Sequence, residues 1–166
     1  MVKSATPDTA FALQDRRIRE RVGAQGFFKL VGARLEELAP GRCNVAVDRR
    51  PELLQQNGFF HGGVTAFLID NATTVAAATL LREDQACLTA EYKLNLLAPA
   101  TGGTLICRAR VVKAGRSISV VTADVFSLVG DGEVHTATAL ASIAILDGGR
   151  LDPARPGNGP PKAVRA

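Results

Sequence analysis

Residues 61–81, HGGVTAFLIDNATTVAAATLL, form the stretch that decides the fold. After Gly63 the stretch contains no helix breaker, and apolar side chains occupy nearly every side of its helical projection. A helix that is apolar all round is buried, because an exposed helix keeps one polar face. We therefore expect a long helix at about 63–81, at the centre of the molecule and with one side left for a partner subunit.

Segments typical of β-strands lie on both sides of this helix. Two of them, 30–41 and 42–49, meet at the turn pair Pro40-Gly41. The segments after the helix are 87–99, 103–115, 117–130 and 133–146, separated by glycine-containing turns at 102–103, 115–116 and 130–132. Such turns favour hairpins, so we expect an antiparallel meander. The helix is the only element able to cover the apolar face of that sheet, which predicts an α+β fold.

The sequence predicts one domain with two flanking segments. Residues 1–26 contain a short helix candidate that ends at Gly23 or Gly26, and residues 27–147 form the domain. Residues 148–166 are rich in Gly, Pro and basic side chains, which predicts a flexible tail. Neither a secretory leader nor a membrane-spanning run is evident, so we expect a cytoplasmic protein with no membrane contact.

The charge distribution argues against nucleic-acid binding. The net charge is +4, but the flanking segments carry it, since 27–147 holds 11 basic and 12 acidic residues. There is no Trp and one Tyr, so stacking platforms for bases are scarce. The three cysteines, Cys43, Cys87 and Cys107, have no close pair and the two histidines are distant, so we expect reduced thiols and no metal site.

Asp70 is the most informative candidate for chemistry. It lies in the middle of an apolar helix, where a carboxylate is costly unless it is partnered or used. Nine residues earlier, His61-Gly62-Gly63 begins the helix, where backbone N–H groups are free to hold a developing oxyanion. Together these features indicate a carboxylate available for chemistry and a backbone donor for a carbonyl. The alternative is a structural Asp70 satisfied by Asn71, Thr73 or Thr74.

At these residues the chain resembles a known family. The run from Gln55 to Thr74, QQNGFFHGGVTAFLIDNATT, is similar to the signature of hotdog-fold acyl-CoA thioesterases of the PaaI-like and 4-hydroxybenzoyl-CoA thioesterase types. LTAEYKLNLLAPATGG at 88–103 and VVKAGRSI at 111–118 also resemble the family, so the similarity spans about 27–147. The resemblance implies the hotdog fold, a long helix wrapped by an antiparallel sheet.

The resemblance implies roles for matching positions. Asp70 would be the catalytic base or nucleophile, and the Gly62 N–H would polarise the thioester carbonyl. Gln55 or Asn57 would be the amide that orients substrate or water, and these two remain rivals. Hydroxyls would come from Thr74 and Thr89, while for His61 we favour a capping role over that of a base. A helix end of one subunit would meet the acid of its dimer mate, in a dimer or tetramer.

The substrate implied is an aryl- or medium-chain acyl-CoA, hydrolysed to acid and CoA without a further cofactor. Phosphates of CoA would be held by a basic group around the 113–117 turn, for which a solvated hairpin is the alternative. A hotdog hydratase or dehydratase, and a non-catalytic acyl-CoA-binding module, remain alternative functions. Our candidate residues for substrate binding are Gly63, Phe59, Phe60, Lys93, Lys113, Arg116 and Ser117.

Overall fold

The computed structural model describes residues 7–147, with side chains from Phe11 onward. The helices are α1 (Pro7–Ala24), α2 (Gly26–Val31) and α3 (Gly62–Ala78), and a 3-10 turn covers Pro51–Leu53. The strands are β1 (Ala33–Ala39), β2 (Arg42–Asp48), β3 (Gln85–Leu96), β4 (Thr104–Lys113), β5 (Ile118–Val129) and β6 (Gly132–Asp147). The predicted tail at 148–166 lies outside the described residues.

The predicted central helix is confirmed as α3, which ends three residues earlier than expected. Thr79 caps it: the Thr79 hydroxyl donates to Ala76 O and accepts from the N–H of Gly41, both at 2.7 Å. Gly41 has φ +71°, a left-handed conformation that favours glycine, and it forms the predicted turn between β1 and β2. The end of the central helix is therefore fixed to the first hairpin.

One six-stranded antiparallel sheet packs against α3, in the order β1-β2-β4-β5-β6-β3. The side chains of Leu68, Ile69 and Ala72 on α3 are completely buried against it. The facing sheet residues include Val45, Val47, Leu105, Cys107, Val121, Val125 and Ile143, none more than 1% exposed. This arrangement confirms the α+β class and the hotdog architecture, in which the sheet covers the helix.

The predicted meander is correct for β4, β5 and β6 but wrong for β3. Gly102-Gly103 does not form a hairpin, because β3 pairs with β6 at one edge while β4 lies between β2 and β5. The connection from β3 to β4 crosses the end of the sheet: Leu97 N–H donates to Thr136 O, and Gly103 N–H donates to Leu128 O. Strand pairing was not readable from glycine positions, since glycine allows a crossing as well as a turn.

The N-terminal region is more helical than the sequence suggested. The expected short helix is the 18-residue α1, and α2 follows directly across the predicted boundary at residue 26. Leu30 and Val31, expected in the first strand, belong to α2, which ends where Gly32 takes φ +74° and bonds back to Lys29 O. Within residues 7–147 no helix is long and apolar enough to cross a membrane.

Candidate active site

Asp70 lies on the side of α3 that faces away from the sheet. The sequence predicts a buried carboxylate, but Asp70 is only half-buried. Ala66 and Thr74, one turn before and one turn after it, are also half-buried. These positions, spaced by four residues, form a stripe beside the β3 edge of the sheet, which reaches it through Thr89. The stripe borders an open depression of about 720 Å³, lined by Gln25, Phe27, Gly63, Ala66, Phe67, Asp70, Asn71, Thr74, Leu88, Thr89 and Tyr92.

A chain of hydroxyl groups holds the Asp70 carboxylate. The Thr89 hydroxyl, on β3, donates to Asp70 Oδ1 at 2.6 Å. Because a hydroxyl has one proton, the 2.7 Å contact between Thr74 Oγ1 and Thr89 Oγ1 must have Thr74 as its donor. Asp70 Oδ2 accepts no bond from the described residues, and the Asp70 side chain lines the depression.

Within the part of the chain that the structure describes, the start of α3 presents one free backbone donor. His61 is its N-cap, and His61 Nδ1 accepts from the Gly63 N–H at 2.9 Å, as expected for a capping side chain. The Val64 N–H donates to His61 O, so it is also occupied. Among the described residues, nothing accepts from the Gly62 N–H. It lies at the positive end of the helix dipole, where a carbonyl oxygen gaining negative charge is stabilised.

The loop before α3 brings Gln55, but not Asn57, to Gly62. Gln55 lines a second depression of about 560 Å³ together with Phe59, Phe60, His61 and Gly62, while Asn57 is exposed and outside this lining. The Asn57 N–H donates to Gln55 Oε1 at 3.2 Å, and Gln55 Nε2 has no acceptor among the described residues. The structure thus brings Gln55, and not Asn57, beside Gly62.

Arg49, which the sequence analysis missed, fixes this loop. Its guanidinium donates to Thr101 O at 3.0 Å and to Gly58 O. Gly58 has φ +79° and closes the turn by donating its N–H to Gln55 O. Arg49 therefore ties the Gln55 turn to the segment that crosses the end of the sheet.

The candidate residues around Gly62 and those around Asp70 are separated by about half the length of α3. Gly62 and Asp70 are eight residues apart on α3, a rise of ~12 Å along the axis. The Gly62 depression and the Asp70 depression share no lining residue. A thioester carbonyl cannot meet both groups of the same chain, since each must lie within about 3 Å of the reacting atoms.

The basic residues predicted to hold phosphates do not form one cluster within the chain. Lys113, Arg116 and Ser117 are exposed together at the β4–β5 turn. Lys93 is on β3, which lies three strands from β4, a distance of ~14 Å measured across the strands. Its Nζ donates to Asn95 Oδ1 at 2.6 Å.

Several residues of the Asp70 depression had no sequence signal. Gln25, between α1 and α2, accepts a bond at 3.0 Å from Asn71 Nδ2, and Phe27 packs edge-on against Phe67 with centroids 4.9 Å apart. Tyr92 joins Thr89 because a β-bulge between Thr89 and Glu91 shifts the alternation of β3 by one residue. The shift is visible in retrospect as Cys87 and Thr89, then Tyr92 and Leu94, on the inner side.

Comparisons with known proteins agree with this fold. The family model of the thioesterase superfamily matches residues 57–133. A thioesterase family protein from Silicibacter pomeroyi is 36% identical, with a TM-score of 0.79 over 81% of this chain and 99% of that chain. The 1,4-dihydroxy-2-naphthoyl-CoA hydrolase of Listeria monocytogenes is 25% identical over 57% of this chain and 77% of its own length.

A further solved structure shows the same fold at lower identity. The PaaI protein from the phenylacetic acid degradation operon of Escherichia coli has a TM-score of 0.73, covering 84% of this chain and 96% of that chain at 18% identity. The chain belongs to the thioesterase superfamily. Its reaction is the hydrolysis of a thioester, which agrees with the family implied by the sequence.

Proposed function

We propose that the protein is an acyl-CoA thioesterase that releases CoA and a free acid from an aryl- or medium-chain acyl-CoA. The observation that carries this proposal is the Asp70 carboxylate, held at one oxygen by Thr89 and open at the other. It lies on the same helix whose first N–H, at Gly62, has no acceptor among residues 7–147. The Listeria relative, named as an acyl-CoA hydrolase, supports CoA as the leaving group.

In the proposed reaction the Gly62 N–H donates to the thioester carbonyl oxygen and holds it as charge develops. Asp70 Oδ2 either takes a proton from water, whose hydroxide adds to the carbonyl carbon, or adds directly to give a mixed anhydride. In both routes the C–S bond breaks and CoA leaves as a thiolate, which needs little protonation because thiols ionise readily. In the second route water then hydrolyses the anhydride, which releases the acid and restores the Asp70 carboxylate. The Gln55 amide orients the water or the carbonyl.

The proposal requires two copies of the chain. Since Gly62 and Asp70 of one chain lie too far apart, a two-fold axis that sets two α3 helices antiparallel would pair the Gly62 of one protomer with the Asp70 of the other. β3 supports this arrangement, because it pairs with β6 on one side and forms an edge of the sheet on the other. Leu88 and Leu96, near its two ends, are 49% and 63% exposed. A long edge with exposed leucines favours pairing with a second copy.

The proposed working form is therefore a homodimer or a pair of dimers, each dimer containing two sites. The Lys113, Arg116 and Ser117 turn, with Lys93, is proposed to hold the CoA phosphates. No cofactor, nucleic acid or membrane enters the proposal, because CoA is part of the substrate. A cytoplasmic location belongs to the same proposal.

A panel of acyl-CoAs tests this function. We expect the purified protein to release CoA from at least one aryl- or medium-chain acyl-CoA. This release is measured as the loss of thioester absorbance in the ultraviolet. Conversion of crotonyl-CoA or a 3-hydroxyacyl-CoA without CoA release would support a hydratase instead. Tight acyl-CoA binding with no conversion would support a binding module. Either result would overturn the thioesterase proposal.

A further inference from the structure

A further cavity, separate from the Gly62 depression, continues the Asp70 depression along α3. It has a volume of about 230 Å³ and lies between α1, the C-terminal half of α3 and the start of β3. Gln25 and Thr74 line both this cavity and the Asp70 depression, so the two spaces adjoin. We call this cavity the α1 slot.

The α1 slot has a mixed lining, with one apolar side formed mainly by Ile18, Val22, Val75, Ala78, Leu81 and Ala86. Thr74 and Ala78, four residues apart, continue the open stripe of α3 beyond Asp70. Ile18 and Val22 of α1 face them and are 7% and 4% exposed. Cys87 of β3 closes the side, with its Sγ 3.6 Å from Thr74 O. Polar side chains also line the slot, namely Gln14, Arg17, Arg21, Arg82, Glu83 and Gln85, and Gln14 Nε2 donates to Ala78 O at 2.9 Å, which closes the slot at Ala78.

We infer that the α1 slot takes the acyl chain of the substrate, which runs from the thioester at Asp70 under α1 toward Ala78. This inference rests on the proposed function and narrows its substrate class to unbranched medium-chain acyl groups. Along α1 the slot extends from Gln14 to Val22, eight residues and a rise of ~12 Å. A cavity of about 230 Å³ over that length is long and narrow, so it suits an extended alkyl chain better than a fused aromatic ring.

Chain length should therefore control turnover until the slot is filled. Each methylene that leaves water for an apolar wall is expected to raise kcat/KM by about threefold to fourfold. The increase should stop once the chain reaches Ala78, where the slot ends at the rim of charged side chains. Short acyl groups do not enter the slot and do not depend on it.

Cys87 provides a probe inside the slot. Cys87 is half-buried, whereas Cys43 and Cys107 are completely buried, so Cys87 is the thiol that a small reagent can reach. Burial raises the pKa of the Cys87 thiol to about 11, which keeps it protonated at neutral pH and slow to react. Labelling with an alkyl methanethiosulfonate at mildly alkaline pH would place an alkyl group in the slot.

The test compares decanoyl-CoA with butanoyl-CoA before and after labelling, with one label on Cys87 verified by mass spectrometry. We expect the ratio of the two kcat/KM values to fall at least tenfold on labelling and to return when a reductant removes the alkyl group. In the Cys87→Ser variant, treatment with the reagent should not change the ratio of the two kcat/KM values. A ratio that does not move in labelled protein would overturn the inference.

The Ala78→Leu variant tests the α1 slot if Cys87 does not react with the reagent. Leucine is a good helix former, and its larger side chain would occupy the end of the slot. We expect a similar fall in the ratio, whereas Ala24→Leu at the exposed end of α1 should leave it unchanged. Hydrolysis with an unchanged ratio in Ala78→Leu would refute the α1 slot alone, while no hydrolysis of any thioester by the wild type would refute the proposed function.

Discussion

Replacing Asp70 with Asn is expected to lower kcat for thioester hydrolysis by about a thousandfold, within the range that a positioned acid or base contributes. The substitution keeps the shape of the side chain and its acceptor oxygen for the Thr89 hydroxyl, so the hydroxyl chain can persist. It removes the negative charge and the basic oxygen that faces the depression. A thousandfold loss corresponds to about 4 kcal/mol of activation free energy.

The matched control is Asp124→Asn. Asp124 is also a half-exposed carboxylate, but it lies on β5 and contacts His135 at 3.0 Å instead of facing the depression. We expect its kcat to stay within about twofold of the wild type, since surface substitutions away from the site have small effects. If Asp70→Asn retains more than about a tenth of wild-type turnover while its dimer and thermal unfolding are unchanged, Asp70 is not the catalytic group.

The second large effect is expected from Gly62→Pro, which deletes one N–H and little else. Proline suits the first position of a helix, and His61 already has φ −65° and ψ 138°, a conformation allowed before proline. Because no described residue accepts from the Gly62 N–H, the fold loses no hydrogen bond. Loss of an oxyanion donor typically lowers kcat by about 100- to 1,000-fold, and we expect a decrease of that size.

Gly62→Ala separates the donor from the added volume. A Cβ at this position would lie 3.7 Å from Leu96 Cδ1, an ordinary contact, and the N–H would remain. We expect kcat of Gly62→Ala to exceed that of Gly62→Pro by at least about tenfold, measured with the best acyl-CoA of the panel. Equal turnover in the two variants would mean that this N–H does not hold the carbonyl oxygen.

The central helix and its polar residues were predictable because their signals are local. The uninterrupted apolar run of α3, the helix start at His61-Gly62-Gly63 and the single acid at Asp70 all lie within one segment of sequence. Helix burial follows from such a pattern without any knowledge of strand order. Thr89 and Thr74 also lie together as the family resemblance implied, although their roles remain proposals.

The remainder depends on contacts between distant segments. The β3–β6 pairing joins Gln85 to Asp147, and nothing in the turn at Gly102-Gly103 indicates that the chain crosses the sheet there. Tyr92 faces Asp70 because of a bulge, which shifts the side-chain alternation by one residue. Gln25 reaches Asn71 across 46 residues of sequence, so its place beside Asp70 could not be inferred from spacing.

The central claim, that each site joins the Gly62 of one protomer to the Asp70 of its partner, is tested most directly by mixing two inactive variants. Asp70→Asn and Gly62→Pro homodimers are purified separately, then dissociated and reassociated together. A mixed dimer would contain one site with both substitutions and one site with neither. Random reassociation of a two-fold dimer therefore predicts recovery of about a quarter of wild-type turnover. No recovery, with mixed dimers demonstrated by mass spectrometry, would place both groups of the site in one chain and contradict the account.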